Sequence, residues 1–141
     1  MLPNLATDLL VTLAYGVVGV VLMGIGYALV DVATPGRLNE LIWVQRNRNA
    51  ALLLASNLAG VGIIVVAAIA ASEDDFVAGI VSASAYGILG LVIMAGAFVL
   101  LDVATPGKLG EILVESEPHP AVWVSAVVHL ATGAVIAAAI S

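Results

Sequence analysis

The sequence has no cysteine and little charge. Among its 141 residues there are four cations, ten carboxylates and two histidines. The missing thiols exclude disulfides, thiolate nucleophiles, Cys-ligated zinc and iron–sulfur clusters. The shortage of charge excludes more. A soluble domain carries about 25% charged residues; the 10% found here cannot cover the surface of a domain this small, and 62% of the chain is apolar. With a mean hydropathy of +1.18, the solvent that fits this composition is a lipid bilayer. The length leaves room for one domain, 1–141. A net charge of −6 argues against a nucleic-acid partner, which needs a basic surface. No Lys or Arg precedes Asp8, so the N-terminus lacks the basic region of a secretory signal, and the apolar run behind it is too long for one. It is read as the first span of the mature chain.

A bilayer core about 30 Å thick needs about 20 apolar residues of helix. Four stretches qualify: Leu9–Val30, Ala50–Ala71, Phe76–Leu101 and Ala121–Ile140, none with a Lys, Arg, Asp or Glu. The breaks at Asp31 to Asn49 and Asp102 to Pro120 are long for hairpins, so each is expected to carry a short interfacial helix. All four cations lie in these two loops: Arg37, Arg46 and Arg48 in the first, Lys108 in the second. Lys and Arg mark the cytoplasmic side, which puts both loops in the cytoplasm and both termini outside. Trp43 and Trp123 fit an interfacial belt on the cytoplasmic side.

The chain repeats itself. Asp31-Val32-Ala33-Thr34-Pro35-Gly36 recurs as Asp102-Val103-Ala104-Thr105-Pro106-Gly107, and Tyr15-Gly16 recurs as Tyr86-Gly87 at the same spacing. One unit covers about 8–71 and the other about 79–141. Each holds two spans, so both share one orientation, and a pseudo-two-fold axis along the membrane normal is expected. The fold class is therefore an all-α membrane protein of four transmembrane helices built from a tandem duplicated two-helix unit.

In lipid, small residues mark the faces where helices approach closely. At 100° per residue, Thr12, Gly16, Gly19 and Gly26 share one face of span 1. Gly79, Ala83, Gly87 and Gly90 do the same on span 3. Spans 1 and 3 are thus expected to cross at the axis. Smaller clusters sit on span 2 (Ser56, Gly60) and span 4 (Ser125, Thr132, Gly133).

Asp31 and Asp102 lie where spans 1 and 3 end, opposing the helix dipole. The local reading has each carboxylate accepting backbone N–H groups in a turn. Thr34 and Thr105 then cap the interfacial helices, with Pro35 and Pro106 at the first helical position and Gly36 and Gly107 behind them. The wider readings are a charge network with Arg or Lys and, less favoured, an ion or ligand site.

At these residues the sequence resembles the bacterial membrane proteins grouped as domain of unknown function 350. The duplicated unit, the repeated Asp-x-x-Thr-Pro-Gly and the Asn49-Ala50-Ala51 run opening span 2 carry the resemblance, which covers essentially the whole chain. It implies a small four-span protein of the bacterial cytoplasmic membrane and no activity. Pro118-His119-Pro120 stands where the first unit has Asn47-Arg48-Asn49, so whatever the asparagines do is not duplicated.

Polar side chains inside the bilayer are the candidate functional groups. They are Asn57 and His129, which are repeat-equivalent, and Tyr15 and Tyr86. Interhelical hydrogen bonding is the plainer role, and a proton- or ion-linked site the sharper one. Ser125 and His129 are one turn apart, but a hydrolase triad would lack its orienting acid. Glu115, Glu117 and His119 carry metal-friendly ligands and read better as a solvated loop. No catalytic, cofactor or metal site is assigned. The sequence favours a non-enzymatic scaffold or accessory subunit in a homo-oligomer or larger membrane complex. The alternative is a small ion or proton channel or transporter using Asn57, His129, Tyr15 and Tyr86.

Overall fold

The computed structural model describes residues 2–72, 74–104, 111–112, 114–115 and 117–141. The described residues are mostly helical. Four helices are long and apolar enough to cross a membrane: α1 (Leu2–Ala33), α2 (Arg48–Ala70), α3 (Phe76–Ala104) and α4 (Pro120–Ile140). Lipid offers backbone groups no hydrogen bonds, so apolar segments of this length satisfy their own N–H and C=O groups as helices. At 1.5 Å per residue even α4, with 21 residues, is about 31 Å long and spans the hydrocarbon core.

The helix starts are set by side chains. Asn47 Oδ1 accepts the Ala50 N–H at 3.1 Å to open α2, and Asp75 Oδ2 accepts the Ala78 N–H at 3.0 Å to open α3. His119 Nδ1 accepts the Ala121 N–H at 3.1 Å, with Pro120 in the first turn of α4. Three spans keep their expected positions within a few residues. The first runs longer than the span expected from Leu9, because Asp8 and Asn4 sit exposed on a helix that continues to Leu2. Leu10 and Leu13 line a groove with Phe76 and Val77, so earlier turns of α1 reach past the start of α3.

The first loop carries a short helical segment over 38–44, as expected, but its start differs from the expected one. Thr34 is not its N-cap. The Thr34 hydroxyl donates back to Val30 O at 2.7 Å and so closes the end of α1. Gly36, at φ +88°, occupies the left-handed region that its missing Cβ permits. The chain then makes one wide turn, Glu40–Val44, closed by Gln45 N–H to Glu40 O at 3.0 Å. Asn39 caps it and Leu41 is buried beneath it. In the second loop Thr105, Pro106, Gly107 and Lys108 lie outside the described residues, while 111 and 112, which correspond to the start of this turn, are helical. Trp43 and Trp123 are both exposed at this loop end of the bundle.

Helix α2 is the centre of the bundle and packs against the other three. The most extensive contact is between α2 and α4, not between α1 and α3 as the glycine faces suggest. The reason is backbone proximity. A Cβ at Gly133 would lie 2.7 Å from Gly60 O, whereas a Cβ at Gly16 would meet nothing within 4 Å. On α1, only Gly19 and Gly26 pack, against Val65 and against Asn57 and Val61 of α2, while Thr12 and Gly16 are exposed. On α3 the whole set Gly79, Ala83, Gly87 and Gly90 is buried. Gly87 receives Leu22 of α1, and Gly90 receives Ile64 of α2 and Ile136 of α4. A strict two-fold axis would require α1 to pack on α4 as α3 packs on α2. The α2–α3 contact has no counterpart of similar extent, so the packing is less symmetric than the sequence.

Candidate functional site

The core is layered. One apolar cluster, including Val30, Leu38, Leu53 and Val122, sits at the loop end. A second, including Leu22, Ile64, Leu91 and Ile136, fills the opposite half. Between them lies a polar layer contributed by α2 and α4: Ser56, Asn57, Ser125 and His129, all buried. Asn57 and His129 each follow the start of their helix by nine residues, which places both about 14 Å into the membrane.

Hydroxyl protons determine the polarity of this layer. Ser56 Oγ donates to Leu53 O at 2.8 Å, so towards its neighbour it can only accept. That neighbour is His129 Nδ1, 3.4 Å away across the α2–α4 interface. Nδ1 therefore carries the proton, and Nε2 of the neutral ring is left as an acceptor. The imidazole is stacked on Phe98 of α3, with ring centroids 6.0 Å apart and planes 4° from parallel. Ser125 is not the partner of His129; its hydroxyl donates to Ala121 O at 3.0 Å. Asn57 Oδ1 is buried with no hydrogen-bond partner among the described residues, facing the Gly26 position of α1. A cavity of about 200 Å³ lies against Asn57 and His129, between the loop-side halves of α1 and α3.

The other sequence candidates lie elsewhere. Tyr15 Oη is 3.1 Å from Ser72 Oγ at the α2–α3 turn. Because Ser72 donates its own proton to Ile69 O, the tyrosine is the donor. Tyr86 is exposed on α3. The four polar candidates thus do not line one path: Asn57 and His129 border the same cavity, and the tyrosines are not among its lining residues.

Asp31 Oδ1 accepts the Leu38 N–H at 2.8 Å, which is the local turn reading. Asp102 is half-buried at the end of α3. Among the described residues no three His, Asp or Glu side chains gather as metal ligands. His119 is engaged as the cap of α4.

Two structural groups escape a reading of the sequence. Asn49 Nδ2 donates to Glu117 O at 2.8 Å and to Glu115 O at 3.2 Å, while its Oδ1 accepts the His119 N–H at 3.1 Å. Asn47 Nδ2 adds a second bond to Glu115 O at 3.2 Å. The start of α2 thereby holds the second loop in place, and the unduplicated asparagines are the signal for it. The cavity wall contributed by Phe98 carries no sequence signal.

Four packed apolar helices with charge confined to their ends define a multi-pass protein of the lipid bilayer. The chain belongs to the family described as Domain of Unknown Function (DUF350), whose model matches residues 4–140. It is similar to UPF0719 transmembrane proteins of Mycobacterium bovis and Mycobacterium tuberculosis, each 36% identical over 92% of this chain and 86% of the relative. A UPF0719 transmembrane protein of Mycolicibacterium paratuberculosis is 31% identical over the same shares. No solved structure matches the chain.

Proposed function

We propose that the protein is a non-enzymatic subunit of the bacterial cytoplasmic membrane that assembles through helix–helix contacts. It forms a homo-oligomer or joins a larger membrane complex, with its arginine-bearing loop in the cytoplasm and its termini outside. The observation that carries this reading is Tyr86. Ten residues into a helix of 29, its ring is exposed at a depth inside the hydrocarbon core. No hydrogen bond to its hydroxyl is present among the described residues. A phenol facing lipid at that depth has no water to bond, and a neighbouring subunit supplies the missing partner.

Gly16 supports the same reading from α1. It stands on a largely exposed helix with open space where a Cβ would be, as a close helix–helix approach requires. The orientation rests on Arg37, Arg46 and Arg48, all at the loop end. The conducting alternative draws no support from the arrangement, because Tyr15 and Tyr86 lie away from the Asn57–His129 pair.

Gentle extraction followed by native mass measurement tests the proposal. An assembly of two or more chains, or a co-purifying partner, is expected. A Cβ at Gly16 meets nothing within 4 Å in its own chain, so the effect of Gly16→Ala on the assembled fraction reports a contact between chains. A strict monomer with no partner overturns the reading.

A further inference from the structure

We propose that the cleft between α1 and α3 binds the hydroxyl-bearing head of a membrane-soluble amphiphile. The cleft lies within one copy of the chain and does not depend on assembly. Its volume is about 200 Å³. Its mouth is framed by the exposed side chains Leu29 and Val32 of α1 and Val99 of α3, so it opens sideways towards acyl chains. Its inner wall is different: Asn57 and His129, both more than nine-tenths buried, with Phe98 beside them.

The wall dictates the ligand chemistry. His129 has Nδ1 turned to Ser56, which leaves the Nε2 lone pair for a donor. Asn57 Oδ1 has no partner among the described residues. Its carboxamide presents either an N–H or a C=O to the cleft after a half-turn about its last torsion. A hydroxyl, donor and acceptor at once, suits both groups. Ordered water fits poorly, because a water occupies about 30 Å³ and seeks two to four polar partners. Here two polar groups border a space several times that size, and the other lining residues are apolar. An apolar cavity of about 150 Å³ holds benzene, so this cleft has room for a substituted six-membered ring with its tail leaving through the mouth. A plain acyl chain would fill the space and leave Asn57 unpaired. Two sources of such a head exist in a membrane, a quinol and a hydroxylated lipid such as a diacylglycerol.

The test uses the full chain in dioleoylphosphatidylcholine vesicles. One probe is an octylphenol carrying a diazirine in its chain, and the other is the matching alkylbenzene. The expected result is saturable labelling of α1 and α3 at the cleft by the phenol, with a preference of about tenfold over the alkylbenzene. Asn57→Leu should lower phenol labelling about tenfold while the unfolding temperature holds or rises, since an unpaired buried amide is removed. If that variant does not fold, Ala95→Leu fills the cleft from the α3 side and should abolish labelling. Displacement by a short-chain quinol assigns the site to quinols, and displacement by dioctanoylglycerol assigns it to hydroxylated lipids. Equal labelling by both probes, labelling insensitive to Asn57→Leu and Ala95→Leu, or displacement by neither competitor overturns the proposal.

Discussion

Gly60 and Gly133 place the backbones of α2 and α4 in direct contact. A Cβ built on Gly133 falls 2.8 Å from the Gly60 Cα, and one built on Gly60 falls 2.8 Å from His129 O. Side chains can turn aside for an added methyl, but two main chains can only separate. That separation would also pull His129 away from Ser56, since both flank this crossing.

Gly133→Ala is therefore expected to destabilise the protein by about 1–3 kcal/mol, the usual cost of overpacking. Gly96→Ala is the matched control, because a Cβ there meets nothing within 4 Å. The control should be neutral, or stabilising by about 0.5–1 kcal/mol, through helix propensity. Thermal unfolding in one detergent compares the two directly. Equal behaviour would mean that the α2–α4 contact is not the organising one.

Asn49→Asp should be more damaging than its size suggests. The carboxylate cannot donate, so Glu115 O loses one of two bonds and Glu117 O loses its bond at 2.8 Å. The charge is also placed at a buried position. A loss of about 2–4 kcal/mol is expected. Asn47→Ala removes the α2 cap but leaves Asn49 holding the loop, so about 1 kcal/mol is expected. Limited proteolysis across 111–119 reads the difference: the loop should be cut faster in Asn49→Asp than in Asn47→Ala.

Much of this fold is legible in the sequence because lipid leaves so few options. A run such as Phe76–Leu101, without a formal charge, has no stable state in a bilayer other than a helix. The packing order is less legible. Counting glycines favours spans 1 and 3, yet a glycine contributes only if a neighbour arrives, and Gly16 has none within the chain. Asn49 stands out as an unduplicated residue, but its role depends on carbonyls of a loop with no periodic pattern. The cleft beside Asn57 is defined by the space between α1 and α3, which no single segment encodes.

Asp31 yields a prediction about charge. Its Oδ1 accepts the Leu38 N–H at 2.8 Å, a bond that an amide oxygen also accepts. The negative charge sits at the C-terminal end of α1, where the helix dipole opposes it. Asp31→Asn should then be neutral, or stabilising by up to about 1 kcal/mol. Asp31→Ala, which leaves Leu38 N–H unmatched, should cost about 1 kcal/mol. A clear loss of stability in Asp31→Asn would show that the charge itself is used, as a network with Arg or Lys requires.

The α1–α3 contact makes the last prediction. Leu22 of α1 lies over Gly87 of α3 so closely that a Cβ on Gly87 would collide with its methyl groups. Leu22 is itself buried and packed with Leu91 and Val61, so it has little room to yield. Gly87→Ala should cost about 1–3 kcal/mol. Leu22→Ala should cost about 2–5 kcal/mol through the cavity it leaves. Combined, the new methyl occupies part of that cavity, so the double variant should be less destabilised than the sum of the two. Thermal unfolding of the four proteins gives the coupling. Simple additivity would mean that the two helices do not press on each other at this point.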